Sequence, residues 1–152
     1  MVEITWLGHG TFQLKLDSGE VVLIDPWVEG NPAYPEGHTI PKIDIMLITH
    51  GHFDHIGSAI ELAKRDKPQV GANFEICQWL SSKGVENANG GSKGGTLHFG
   101  DALQVTLTHA IHGSAIQDGD QMIYGGEPCG FILTFADGRK AYFAGDTNVF
   151  SD

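Results

Sequence analysis

The stretch His50-Gly51-His52-Phe53-Asp54-His55 places four nitrogen or oxygen donor side chains within six residues. Imidazole and carboxylate groups of this kind bind zinc, manganese or iron in proteins. His50 and His52 are two positions apart, so an extended backbone turns both rings to the same side. The alternative is a polar loop whose histidines only form hydrogen bonds, but histidine rarely recurs at this density outside metal sites. The stretch therefore predicts a metal site.

The residues around this motif predict its place in the fold. Residues 43–49 form an apolar stretch interrupted only by Asp44, which predicts a central strand buried on both faces. Ser58-Ala59-Ile60-Glu61 then has the form of a capping box, which predicts a helix that runs to about Arg65. We therefore expect the motif in a strand-to-helix loop, outside the carboxyl end of a strand, where open α/β sheets bind their ligands.

The rest of the chain alternates between short apolar stretches and turns, which is typical of a mixed α/β domain. Strands are predicted over residues 4–7, 11–16, 21–24, 68–72, 105–108, 131–135 and 140–144, and a helix over residues 74–83. Two polar loops, 28–42 and 115–127, are expected to shape specificity. The glycine-rich residues 87–95 lack the pattern of a phosphate-binding loop, so they are predicted to be a connection only.

The composition indicates one globular domain. The 152 residues are 41% hydrophobic, and 19 acidic against 9 basic side chains give a formal net charge of −10, which argues against a surface that coats nucleic acid. Cys77 and Cys129 lie in apolar surroundings and are predicted to be buried thiols. The first residues lead directly into a predicted strand, and no apolar run reaches membrane-spanning length. We therefore expect a cytoplasmic protein without a signal peptide or membrane span.

Further polar residues follow later strands, and together with the motif they resemble a known family. Asp25 follows one strand, His112 another, and Gly145-Asp146-Thr147 the last. This order and context resemble the metallo-β-lactamase-fold hydrolases. Trp6-Leu7-Gly8-His9-Gly10 and Leu23-Ile24-Asp25-Pro26 are most similar to a small bacterial branch of that superfamily, which is related to ascorbate-phosphate lactonases and N-acyl phosphatidylethanolamine phospholipases.

The resemblance implies a site with two divalent metal ions, most often zinc, with manganese or iron as the alternatives. It implies these ligands: His50, His52 and His112 for the first metal, Asp54 and His55 for the second, and Asp146 between them. A hydroxide shared by the two metals would attack a small ester, lactone, amide or phosphodiester. Asp54 would also act as the catalytic residue that orients the water and carries a proton.

Several of these positions have a second interpretation. His109 is a rival of His112, which we prefer because Gly113-Ser114 follows it, as in the family. Asp25 is expected to accept a hydrogen bond from a ligand histidine, with a strand-end turn as the alternative. His9, in a Gly-His-Gly turn, is either a pocket residue or a structural turn residue.

The chain also departs from the family pattern. The family fold is a four-layer αββα sandwich of two similar halves, with a further metal-binding histidine beyond Gly-Asp-Thr, whereas only five residues follow Thr147 here and none is histidine. Residues 1–152 are therefore expected to be the N-terminal portion of such a domain, without its C-terminal half. The predicted sheet would then expose an apolar face that a second polypeptide or a second copy covers.

Two other functions remain open from the sequence. One is a metal-binding but inactive half-domain, which serves as an assembly module and needs a partner chain. The other is a di-iron redox protein with the same fold. In the leading hypothesis, the chain is a dinuclear metal-dependent hydrolase that acts on a small-molecule substrate.

Overall fold

The computed structural model describes residues 1–151, and its centre is a six-stranded mixed sheet. The strands are β1 (Glu3–Trp6), β2 (Phe12–Lys15), β3 (Val21–Ile24), β4 (Ile45–Leu47), β5 (Gln69–Asn73) and β6 (Ala88–Gly91), adjacent in that order. The first three pair antiparallel, and β3 to β6 run parallel. Helices α1 (Phe53–Ile56), α2 (Ala59–Asp66) and α3 (Phe74–Ser82) lie in the parallel crossovers.

A second sheet follows in the chain. The remaining strands are β7 (Thr96–Phe99), β8 (Leu103–His109), β9 (Ile116–Asp118), β10 (Gln121–Ile123), β11 (Cys129–Phe135) and β12 (Lys140–Phe143). Four of them form an antiparallel sheet in the order β12-β11-β8-β7, and β9 and β10 form a separate hairpin. The hairpin lies within residues 115–127, which the sequence predicts only as a polar loop.

Side chains of β3 and β4 alternate between two hydrophobic cores. Leu23 and Met46 pack in the core that contains side chains of α2 and α3, whereas Ile24 and Leu47 pack against the second sheet, with Phe131 at its centre. The prediction of a central strand buried on both faces is therefore confirmed. The described residues form three layers in the order helices, first sheet, second sheet.

The prediction that the first sheet exposes an apolar face is wrong. Leu14, Val22 and Ile24 of the first sheet are at most 1% exposed because Val105 and Phe131 of the second sheet cover them. The sequence shows β8 and β11 as apolar stretches, but it does not show that these strands pack on the face of the first sheet. An apolar groove of about 640 Å³ lies instead on the second sheet, beside Ile132 and Tyr142.

Residues 87–95 are also more ordered than the prediction of a mere connection. Ala88–Gly91 forms β6, which pairs parallel with β5. A Cβ atom on Gly90 would lie 2.7 Å from the Phe74 Cα atom, so only glycine lets this strand pass directly under α3. Composition alone favours a turn here because glycine is rare within strands.

Other sequence predictions are largely confirmed. Helix α2 begins after Ser58 as predicted, but the Ser58 hydroxyl accepts a hydrogen bond from Val28 N (3.0 Å) instead of capping the helix. Both cysteines are free, buried thiols. Among residues 1–151, no helix is long and apolar enough to cross a membrane.

Candidate metal centre

Seven histidine and aspartate side chains lie close together where strands end. His50 to His55 follow β4, Asp25 follows β3, Asp146 follows β12 and His112 lies in the loop after β8. The turn between β1 and β2 adds His9. The two sheets thus bring together residues that lie up to 137 positions apart in the chain, from His9 to Asp146.

One group of three histidines has its donor atoms within 4.8 Å of one another: His50, His52 and His112. His52 Nδ1 lies 3.1 Å from His50 Nε2 and 3.2 Å from His112 Nε2. His109, the alternative to His112, lies instead beside Lys93 and the ring of Phe150. The structure therefore places His112, and not His109, beside the motif.

A second group consists of His9, Asp54 and His55. His9 Nε2 lies 3.0 Å from His55 Nε2 and 3.1 Å from Asp54 Oδ2. The sequence did not identify His9 as a donor for a metal, because a histidine between two glycines is equally typical of a turn. The one indication in the sequence was that His9 lies within Trp6-Leu7-Gly8-His9-Gly10, a stretch that resembles the family.

Asp146 lies between the two groups. Its Oδ1 atom is 3.4 Å from His55 Nε2, and its Oδ2 atom is 3.6 Å from His112 Nε2. His50, His55 and Asp146 also have donor atoms within 4.8 Å of one another. One carboxylate therefore faces a histidine from each group.

Asp25 and Thr49 fix the rings of the two buried histidines. Asp25 Oδ2 accepts hydrogen bonds from His55 Nδ1 (2.8 Å) and from the Thr49 hydroxyl (2.7 Å). Because the single hydroxyl proton of Thr49 goes to Asp25, the Thr49 Oγ1 atom accepts from His50 Nδ1 at 3.0 Å. Both rings thus carry their proton on Nδ1 and direct the Nε2 lone pair into the cluster.

Burial and mutual proximity affect the histidine charges. Burial, followed by the neighbouring His55 and His52, lowers the pKa of His50 to about 2. Burial and His112 also lower the pKa of His52. Burial opposes charge on His55 as well, but the hydrogen bond to Asp25 and the nearby carboxylates outweigh it, so the pKa of His55 is raised. At neutral pH, His50 and His52 therefore offer uncharged nitrogen donors.

Two glycines allow the groups to approach closely. A Cβ atom on Gly10 would lie 2.6 Å from His55 Cε1, and one on Gly51 would lie 2.5 Å from the Ser114 carbonyl oxygen. Either contact is too short for carbon, so the loops around the cluster need these glycines. A cavity of about 560 Å³ opens beside His9 and Asp146 and has apolar walls that include Phe12.

Comparison with known proteins agrees with this geometry. Residues 20–152 match the family model described as "Beta-lactamase superfamily domain". The chain is 54% identical to a UPF0173 metal-dependent hydrolase of Solibacter usitatus (strain Ellin6076), over 99% of this chain and 65% of the relative. It is 53% identical to a similarly named protein of Koribacter versatilis (strain Ellin345), over 99% and 65%.

A solved structure shows the same likeness. The chain superposes on Igni18, described as a novel metallo hydrolase from the archaeon Ignicoccus hospitalis KIN4/I, with a TM-score of 0.81 and 34% identity, over 99% of this chain and 63% of that one. The chain thus spans about 65% of the length of the curated relatives it matches. With residues 20–152 matched and the sheets arranged as described, the chain belongs to the β-lactamase superfamily and has the metallo-β-lactamase fold.

Proposed function

We propose that this chain belongs to a metal-dependent hydrolase with two divalent metal ions, which cleaves a small ester, lactone, amide or phosphodiester. The observation that carries this proposal is the position of Asp146 between two groups of metal-binding side chains. His50, His52 and His112 would bind the first ion, Asp54 and His55 the second, and Asp146 both.

The donor groups fit such ions. Two ligands about 2.0–2.1 Å from one zinc ion are roughly 3–3.4 Å apart. His50 Nε2 and His52 Nδ1 are 3.1 Å apart in the first site, and His55 Nε2 and Asp146 Oδ1 are 3.4 Å apart in the second. Imidazole with carboxylate suits zinc best, and manganese and iron are the alternatives.

The bound ions would supply a nucleophile at neutral pH and polarise the oxygen of the scissile group. The protein side chains perform the other tasks. Asp25 and Thr49 hold the two buried rings in one orientation. Asp54 has a side chain that is 27% exposed, so its carboxylate can contact a water molecule, orient it and accept or return its proton.

Metal analysis combined with activity assays tests the proposal. The chain is loaded with Zn²⁺, Mn²⁺ or Fe²⁺, its metal content is measured, and hydrolysis of bis-p-nitrophenyl phosphate and a panel of lactones is followed. We expect two bound ions and turnover that chelators abolish. A sample with two ions and no turnover contradicts hydrolysis and favours the inactive assembly module, whereas bound iron with visible absorption and redox activity favours the di-iron protein.

We also propose that a further polypeptide segment covers the apolar groove on the second sheet. Ile132, Tyr142, Val149 and Phe150 contribute to this groove, with Tyr142 53% and Val149 87% exposed. About one third of each curated relative lies outside the aligned region, which is enough chain to form another layer. Size-exclusion chromatography and native mass spectrometry test this. A monomer of 16.4 kDa with full activity contradicts it, and a homodimer identifies a second copy as the cover.

A further inference from the structure

We propose that His9 is a ligand of the second metal ion and completes a three-residue site with Asp54 and His55. This inference rests on the two-metal centre proposed above. It assigns to the turn between β1 and β2 a role that neither the metal-binding motif nor the resemblance to the family gives it.

The contacts of His9 Nε2 carry the argument. This atom lies 3.0 Å from His55 Nε2 and 3.1 Å from Asp54 Oδ2. In the neutral His55 ring, Nδ1 donates to Asp25 and the Nε2 atom is an acceptor. A single N–H on His9 would point at only one of its two neighbours, whereas a cation between the three atoms attracts all of them. The distances also equal the spacing of roughly 3–3.4 Å between ligands of one zinc ion.

The local backbone holds the His9 ring in this place. His9 has a φ of +51°, a left-handed conformation that is unfavourable for a residue with a Cβ atom. The turn is fixed by the Trp6 indole, which donates to the His9 carbonyl (2.8 Å), and by Asn31 Nδ2, which donates to the Gly8 carbonyl (3.2 Å). The edge-to-face contact with Trp27 supports the ring from the side (5.5 Å between centroids).

His9 also balances the two sites. With Asp146 counted in both, the first site has four donor residues, three histidines and one carboxylate. Among residues 1–151, the other donors near the second site are Asp54, His55 and Asp146. With His9 it also has four, which is the number that zinc prefers.

Zinc binding to the full chain tests the inference. His9→Asn is the informative variant, because asparagine tolerates the left-handed backbone but its side chain is a poor zinc ligand. We expect wild type to bind two zinc ions and His9→Asn to bind the second at least tenfold more weakly, measured by competition with a chromophoric chelator. The cobalt-loaded variant should lose the part of the visible spectrum that belongs to one site. His109→Asn, which changes an exposed histidine beside Lys93, is the matched control and should behave as wild type.

The outcomes separate this inference from the proposed function. If wild type and His9→Asn bind two ions with equal affinity, His9 is not a ligand, and the two-metal centre itself is not contradicted. Fewer than two ions in wild type overturn the two-metal centre itself. His9→Asp keeps an oxygen ligand and a tolerated backbone, so it should bind the second ion more tightly than His9→Asn. A purely structural turn would instead lower the melting temperature of both variants and leave the stoichiometry at two.

Discussion

Asp25 Oδ2 lies 2.8 Å from His55 Nδ1, and this contact connects the end of β3 to the motif that follows β4. Both side chains are almost inaccessible, with His55 0% and Asp25 1% exposed. Asp25 also has a φ of +48°, which aspartate and asparagine tolerate better than most residues. The carboxylate therefore occupies a fixed position and determines which nitrogen of His55 faces the cluster.

Asp25→Asn should weaken binding of the proposed second metal ion by about 10–100-fold, the usual effect of losing a carboxylate behind a ligand histidine. Asparagine keeps the size and the backbone conformation, but it replaces a charged acceptor with a neutral one. Zinc titration with a competing chelator measures the change. Asp101→Asn, at an exposed position, is the control and should leave both affinities unchanged. Equal zinc affinity in Asp25→Asn and wild type would show that the contact does not orient the ligand.

Gly10→Ala should reduce both stability and binding of the second ion. The added Cβ atom would lie 2.6 Å from His55 Cε1 and 2.8 Å from His55 Nδ1, so the ring has to move away from Asp25. Overpacking of this kind costs about 1–3 kcal/mol of the free energy of unfolding. Urea unfolding and zinc titration measure the two effects.

Gly37→Ala provides the comparison for this variant. Within residues 1–151, no atom of another part of the chain comes within 4 Å of the Cβ atom that it would add. Its φ of +76° costs about 1 kcal/mol, and the metal affinities should remain those of wild type. If Gly10→Ala loses no more stability than Gly37→Ala and binds both ions normally, the close packing under His55 has no functional role.

Much of the fold was predictable from local patterns. The alternation of apolar residues predicted β2, short apolar stretches predicted β3 and β11, and the apolar stretch before His50 predicted a buried central strand. The position of the motif at the end of that strand follows from the same pattern. Such predictions succeed because hydrophobic periodicity depends on neighbours in the chain.

The remainder depends on contacts between distant residues. His9 and Asp54 are 45 positions apart, and no local pattern shows that the first turn reaches the motif. Strand β6 is hidden in a glycine-rich segment, where close packing under α3 overrides the usual low strand propensity of glycine. Strands β8 and β11 pair in the second sheet, which packs on the first sheet. The apolar face of the first sheet is therefore covered, contrary to the prediction.

Cys77 and Cys129 should resist alkylation in the folded protein at pH 8. Burial raises the pKa of each thiol to about 12, so the reactive thiolate is almost absent. We expect iodoacetamide to modify neither thiol in buffer and both in 8 M urea, as measured by intact mass. Stoichiometric labelling of a sample with native circular dichroism would contradict this burial.

The same pKa shift predicts the pH dependence of stability. The folded state keeps the Cys77 proton up to about pH 12, whereas the unfolded chain releases it near the ordinary value of 9.0. The folded state therefore binds more protons above pH 9, and the contribution of this thiol to stability is complete below pH 9 and declines as the pH rises. Cys77→Ala lacks this group, so the stability difference between wild type and the variant should narrow between pH 8 and pH 10 in urea unfolding. A difference that stays constant would contradict the shift.

Asp54→Asn should lower kcat by about 10²–10⁴-fold, the typical contribution of a positioned acid or base. Asp54 Oδ2 lies 3.1 Å from His9 Nε2, yet the Asp54 side chain is 27% exposed, so it can both bind a metal ion and reach a water molecule. Asparagine keeps an oxygen donor and the size of the side chain, but it cannot accept the proton. Activity per bound metal ion, with zinc content measured on the same sample, separates loss of the proton acceptor from loss of the ion. Asp120→Asn, at an exposed turn, is the control. Hydrolysis at the wild-type rate by Asp54→Asn with two bound ions would exclude Asp54 as the residue that carries the proton.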